Sequence, residues 1–206
     1  MPPRPSLIIG ITGRIATGKS TFTRSLGAHL IKAGIPTAIH SYDRVRADLL
    51  EIDLDPQARA TRTSLATEIG LSVSPQNRFV DRRELAQRLA EDSYTQALHD
   101  QIVEPIVRER IVLRMRHSAH YFHIHLVEWA CIIDRNAWEL AQDGIILMSC
   151  KEETQHQRLL GGDLPESVIA YRLQNQSSEA DLLCGIHGAL DSNLVATSWR
   201  IVSDGI

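Results

Sequence analysis

Apolar residues along this chain alternate between short unbroken runs and helical spacing, and that alternation sketches a fold. Leu7-Ile8-Ile9-Gly10-Ile11-Thr12 is a short apolar run that predicts a buried strand. From Lys19 to Ala33, Phe22, Leu26, Leu30 and Ile31 recur on one helical face, and Gly34 with Pro36 supplies a stop. Thr37 to Ser41 reads as a second strand. Asp43 to Glu51 reads as a helix carrying Val45, Leu49 and Leu50 on its apolar side. Residues 53 to 117 change character: no strand is convincing, and polar helices are separated by Gly70 and the Ser72–Pro75 turn region. This stretch is expected to be a helical insertion. Within it, Asp81-x-x-Glu84 resembles a capping box opening a helix with Leu85, Ala86 and Leu89 inward. A further helix is expected from Ile102 to Met115, starting near Glu104 because Pro105 suits a first turn.

Strand character returns at Tyr121–Val127, Gly144–Ser149 and Trp199–Ser203. Helices are expected at Glu153–Leu160 and Pro165–Gln176, broken apart by Gly161-Gly162-Asp163. Strands alternating with helices predict an α/β fold with a mainly parallel sheet, whose ligands bind beyond the carboxyl ends of the strands.

Between the first strand and the first helix, Gly13-Arg14-Ile15-Ala16-Thr17-Gly18-Lys19-Ser20 satisfies G-x-x-x-x-G-K-[ST]. The glycines allow backbone N–H groups to turn around a phosphate chain, Lys19 can reach the outer phosphates, and the Ser20 hydroxyl suits Mg²⁺. The following helix N-terminus directs its dipole at the same anion. An ordinary glycine turn needs neither the Lys19-Ser20 pair nor this flanking order.

Composition narrows the partners. A chain of 206 residues is expected to form one domain. Its 43% hydrophobic and 23% charged content is that of a globular protein, without an apolar stretch of membrane-spanning length. The Met1–Ser6 arm lacks the apolar core of a secretory signal, which predicts a cytoplasmic location. Cys131, Cys150 and Cys184 are odd in number and widely spaced, against a disulfide framework or a C-x-x-C metal site. A net charge of −3 and 5% aromatic residues favour a small-molecule partner over nucleic acid. The arginines of Arg59–Arg62, Arg82-Arg83 and Arg108–Arg110 read mostly as solvated helix faces. His117, His120, His123 and His125 form the densest histidine group, with His123 and His125 expected on one side of a strand. No Cys or carboxylate spacing completes a metal set around them, so they read as ordinary strand and loop histidines.

Phosphoryl transfer needs charge neutralisation, an aligned acceptor and often a carboxylate that takes the acceptor's proton. Asp43, just past the second strand, is the candidate base; on local sequence it fits an N-cap nearly as well. Glu128, just past the strand ending at Val127, is a second carboxylate, suited to orienting Mg²⁺ through water or to a polar loop. Arg158 and Arg172 bracket the Gly161-Gly162 break, the layout of a flap that delivers guanidinium groups to a transferring phosphate. As plain surface arginines they would pair with Glu153 or Glu166.

The run from Ile9 to Thr21 resembles the opening of the dephospho-coenzyme A kinases, G-L-T-G-G-I-G/A-S-G-K-S. Ser41-Tyr42-Asp43-Arg44-Val45 is similar to that family's D-A-D-x-I, Val80–Leu85 to its I-D-R-x-x-L, and Val103-Glu104-Pro105-Ile106 to its H-P-x-I. Gln157-Arg158-Leu159 and Arg172–Gln176 resemble its R-L and R-I-x-x-Q lid elements. The order of these anchors is more specific than the loop. The resemblance implies a three-layer P-loop kinase core on a five-stranded sheet, with an acceptor-binding insertion at about 53–117 and a lid at about 153–177. It implies transfer of the ATP γ-phosphate to the ribose 3′-hydroxyl of dephospho-coenzyme A. Gly13 and Ala16 to Thr21 (Ala16, Thr17, Gly18, Lys19, Ser20, Thr21) would bind ATP phosphates, Ser20 would hold Mg²⁺, and Lys19, Asp43, Arg158 and Arg172 would be catalytic. The acceptor side departs from the pattern: Ser41 replaces the first Asp, Glu104 the His, and Glu128-Trp129-Ala130-Cys131-Ile132-Ile133-Asp134 the family's D-I-P-L-L-F-E. Gly162 stands where a second lid arginine is common. Two other readings stay open on the residues: a P-loop kinase for another small nucleoside or nucleotide, and a non-catalytic nucleotide-binding module.

Overall fold

The computed structural model describes residues 6–71, 79–161, 169–170, 173–174 and 176–204, except for the side chains of Arg82 and Glu91. Strand β1 (Leu7–Thr12) leads into helix α1 (Lys19–Lys32), then β2 (Thr37–Ser41) and α2 (Tyr42–Ala47), which widens into a π-helical turn over Asp48–Ile52. Helices α3 (Pro56–Ile69), α4 (Arg82–Glu91) and α5 (Ser93–Ser118) follow before β3 (Ile124–Glu128). The chain then forms β4 (Gly144–Ser149), α6 (Glu152–Leu160), α7 (Glu179–Asp191) and β5 (Ser198–Val202).

The strands form one five-stranded sheet in the order β2-β3-β1-β4-β5, and every neighbouring pair is parallel. The carboxyl ends of all the strands therefore share one edge. Glu128 is in register with Ile11 of β1 on one side and with Ser41 of β2 on the other. Alternation of side chains sends Ile11, Leu126, Ile146 and Met148 to one face, where Phe22, Leu26 and Leu30 of α1 cover them. Val127, Ile145 and Leu147 face the opposite layer, with Val103, Val107, Ile111 and Met115 of α5 and Leu182, Ile186 and Ala189 of α7. Helices on both faces explain why β4 is buried at every position.

Several expectations change. The helix expected from Ile102 begins instead at Ser93, capped by the Asp92 carboxylate, which accepts from Tyr94 N and Thr95 N at 3.1 and 3.0 Å. Pro105 lies inside it, not in its first turn. Four-residue spacing of the fully buried Val103, Val107 and Ile111 offsets the hydrogen bond that proline omits. Helix α7 has no counterpart among the expected elements, although Ser178-x-x-Asp181 forms a complete capping box. Strand β3 starts at Ile124, so His123 precedes it and is exposed. His125 is wholly buried, and its Nδ1 meets His40 Nε2 across the sheet at 3.0 Å. Arg62 is no solvated face: it is 2% exposed and donates to the carbonyls of Leu49 and Asp53 at 2.6 and 2.8 Å, the end of the π-helical turn. Most of the expected helix at Pro165–Gln176 lies outside the described residues.

Candidate active site

The loop between β1 and α1 is held by partners for its carbonyl groups. Lys19 Nζ donates to Gly13 O at 2.9 Å and Arg14 O at 2.7 Å, and Thr17 Oγ1 also donates to Arg14 O at 2.9 Å. The next three carbonyls are bound from outside the loop. Gln155 Nε2 donates to Ile15 O at 2.6 Å, Arg158 Nη1 to Ala16 O at 3.2 Å, and Ser203 Oγ to Thr17 O at 2.7 Å. A trans peptide carries its C=O and N–H on opposite sides, so these bonds turn the N–H groups of Ala16, Thr17 and Gly18 toward the loop's interior. Gly18 O then accepts from Phe22 N at 3.0 Å and starts α1. Thr21 follows in the first turn, exposed. Gly13 is obligatory: its φ is +136°, and a Cβ there would lie 2.1 Å from Met148 O.

Chemistry-bearing groups gather where the strands end. Burial holds the Lys19 ammonium below its ordinary pKa, opposed by the charges of Glu128 and Asp43. The Ser20 hydroxyl donates to the buried Glu128 carboxylate at the end of β3. A hydroxyl and a carboxylate oxygen meeting at the loop are the hard donor set that suits Mg²⁺, which takes few protein ligands and completes its shell with phosphates and water. Thr12 Oγ1 donates to Ala130 O at 2.8 Å, tying the loop after β3 to β1. Cys131 in that loop has its thiol pushed up to about 12, first by burial, which favours the protonated form.

Asp43 sits in the first turn of α2, while Ser41 occupies the N-cap position without a side-chain cap bond. The capping alternative therefore does not describe Asp43. Its side chain is 79% exposed, 3.9 Å from Arg46 Nη2. Beside it, Tyr42 stacks on Trp129 with ring centroids 4.1 Å apart and planes 6° from parallel. Arg135 in the loop after β3 pairs with Asp100 and Glu104 of α5, and Arg108 of α5 reaches back to Glu139 at 2.6 Å.

Arg158 comes to the loop from the end of α6, and Glu166, a pairing partner considered for it, lies outside the described residues. Arg172 lies outside the described residues, as does Gly162. Three contributors lack an assigned role in the sequence reading: Gln155, Gln176 and Ser203. Gln176 Oε1 accepts from Ile15 N at 3.1 Å and from Gln155 Nε2 at 3.2 Å. A glutamine three residues before Arg158, on the same helix face, was an available signal for Gln155. Ser203 meets the loop from 186 positions away, and no local pattern announces it.

The family model for dephospho-CoA kinase matches residues 7–191. The chain belongs to the dephospho-CoA kinase family. Its members are P-loop kinases of coenzyme A synthesis, which makes the chain an ATP-using phosphotransferase. A dephospho-CoA kinase of Bdellovibrio bacteriovorus is 29% identical over 171 residues, covering 82% of this chain and 78% of the relative. That of Rhizobium etli is 29% identical over 177 residues, covering 85% and 79%. Among solved structures, TT1252 from Thermus thermophilus superposes with a TM-score of 0.66 at 23% identity, covering 98% of this chain and 91% of that one. Dephospho-CoA kinase from Campylobacter jejuni gives 0.51 at 18% identity, covering 96% and 88%. These structures share the parallel α/β kinase fold. Among the described residues, no helix is long and apolar enough to cross a membrane.

Proposed function

We propose that this chain transfers the γ-phosphate of ATP to the ribose 3′-hydroxyl of dephospho-coenzyme A, in the cytoplasm, with Mg²⁺ as cofactor. The observation that carries the reading is the meeting, at one sheet edge, of a phosphate loop with three carbonyls bound from outside, the Glu128 carboxylate at the end of β3 and Asp43 in the helical turn that follows β2. The interior N–H groups and Lys19 hold the phosphate chain of ATP, and α1 adds its positive dipole end. Asp43 accepts the proton of the 3′-hydroxyl, whose oxygen bonds to the γ-phosphorus as the bond to the β,γ-bridging oxygen breaks and ADP leaves. Ser20 and Glu128 would hold Mg²⁺, which neutralises phosphate charge when bound. Arg158, and Arg172 from the lid, offset the charge on the transferring group.

The direct test incubates purified protein with Mg-ATP and dephospho-coenzyme A and measures coenzyme A and ADP. Equal amounts of both are expected, with at least a hundredfold loss on Lys19→Ala, the scale of losing an electrostatic contact to the transferring group. A rate no higher than a protein-free control would overturn the reading. Turnover with another hydroxyl acceptor in a panel would redirect it to that acceptor.

A further inference from the structure

Ser203 stands one residue beyond β5 and is 2% exposed. All of its polar groups are engaged. Its N–H donates to Ser149 O at 2.9 Å. Its hydroxyl donates to Thr17 O at 2.7 Å and accepts from Arg158 Nη1 at 3.2 Å. Its carbonyl accepts from Arg158 Nη2 at 2.9 Å. The same Nη1 reaches Ala16 O, and a Cβ built on Gly18 would lie 3.5 Å from both Arg158 Nη1 and Ser203 Oγ. One buried hydroxyl thus fixes a phosphate-loop peptide plane and an arginine from the lid-side helix at once.

We infer that Ser203 is a positioning residue for phosphoryl transfer, acting through Thr17 and Arg158. By holding the Thr17 carbonyl outward it points the Gly18 N–H into the loop, because the peptide between them is planar and trans. By gripping both ends of the Arg158 fork it sets the guanidinium plane against the loop, and Arg rewards such a two-point grip because its donors are rigidly spaced. The contact also explains why the far end of β5 bears on a site built from β1 and α1. Loss of the hydroxyl removes the donor to Thr17 O and one acceptor for Arg158 while leaving the apolar core untouched. A small misplacement of positioned groups is enough to slow transfer markedly.

The inference rests on the kinase reading for its catalytic half, so the test separates the two. Mg-ATP is titrated calorimetrically into the full chain without acceptor, and coenzyme A formation is measured in parallel. Ser203→Ala is expected to weaken ATP binding about tenfold and to lower kcat by a similar factor, with the KM for dephospho-coenzyme A within about twofold. Ser203→Thr, which keeps the hydroxyl, should return both to within about threefold of the parent, a recovery that a packing role alone would not give. In an Arg158→Lys background, Ser203→Ala should cost less than it does in the parent, since only its Thr17 contact is then left to lose. ATP affinity of Ser203→Ala within twofold of the parent, no recovery in Ser203→Thr, or additivity with Arg158→Lys would each overturn the inference. A parent that binds ATP and forms no coenzyme A would sink the kinase reading alone, and the ATP titrations would still decide Ser203.

Discussion

The phosphate-loop side of the proposed site and its proposed acceptor side are built from different materials. Around the phosphate loop, successive carbonyls from Gly13 to Gly18 are bound by Lys19, Gln155, Arg158, Ser203 and the first turn of α1. On the proposed acceptor side, Asp43 is exposed beside Arg46, and the loop after β3 is tied to α5 by Arg135 and Arg108 through Asp100, Glu104 and Glu139. Most of the bonds around the phosphate loop run from buried or part-buried side chains to loop carbonyls, and they are directional and less affected by salt than exposed charges are. Part-exposed ion pairs are screened and contribute little each. The donor half is accordingly a preformed cradle. The proposed acceptor half is held by contacts that solution conditions can loosen.

Three changes probe that contrast, the largest effect first. Asp43→Asn should lower kcat for coenzyme A formation by about 10²- to 10⁴-fold, the range for losing a general base, with ATP affinity within about twofold. Single-turnover quench and ATP titration measure the two halves separately. A kcat loss under about tenfold would remove Asp43 from the base role.

Acid should act next, and on the acceptor-side layer. His40 is pushed down to about 4 from 6.5, first by burial and then by the neighbouring His125 and Arg114. His125 is lowered by burial as well. The folded chain therefore favours neutral rings, while the unfolded chain takes up protons below about 6.5. Stability should be full above that pH and fall as pH drops toward 4, by about 3 kcal/mol at most from His40. Urea unfolding from pH 7.5 to 4.5 tests this, with His40→Gln expected to flatten the slope. Hydrogen exchange should rise in β2 and α5 before the phosphate loop. An unchanged slope in the variant would assign the acid sensitivity elsewhere.

The smallest effect belongs to the ion pairs. Arg135→Ala should raise the acceptor KM about three- to tenfold and leave ATP affinity within about twofold, the scale of a part-exposed charge network. Added salt should shrink the difference between variant and parent. Equal changes in ATP and acceptor constants would erase the division between the two halves.

Much of the donor half was legible in the residues. Leu7–Thr12, Thr37–Ser41 and Gly144–Ser149 are strands at the expected bounds, and α1 spans Lys19–Lys32. Each of these elements is marked by its own apolar spacing and by turn residues beside it. Capping at Asp81 was equally local, with its carboxylate accepting from Arg83 N and Glu84 N. The misjudged elements depended on distant partners. Pro105 stops a helix on local rules, and burial of Val103 and Val107 in the core overrides them. Arg62 looks like a surface charge until the π-helical turn presents two carbonyls to it.

The amino-acid sequence by itself determined that a strand, a glycine loop with Lys19 and Ser20, and a helix would form a phosphate cradle, because those choices are made within a few residues of backbone. Only the tertiary structure decided which groups hold that cradle open. Gln155, Arg158 and Ser203 lie 140, 142 and 186 positions from the carbonyls they bind. Parallel strand pairing brings all the strand ends to one edge, and hydrogen bonds reach only about 3 Å, so no pattern along the chain can reveal such contacts before the sheet has formed.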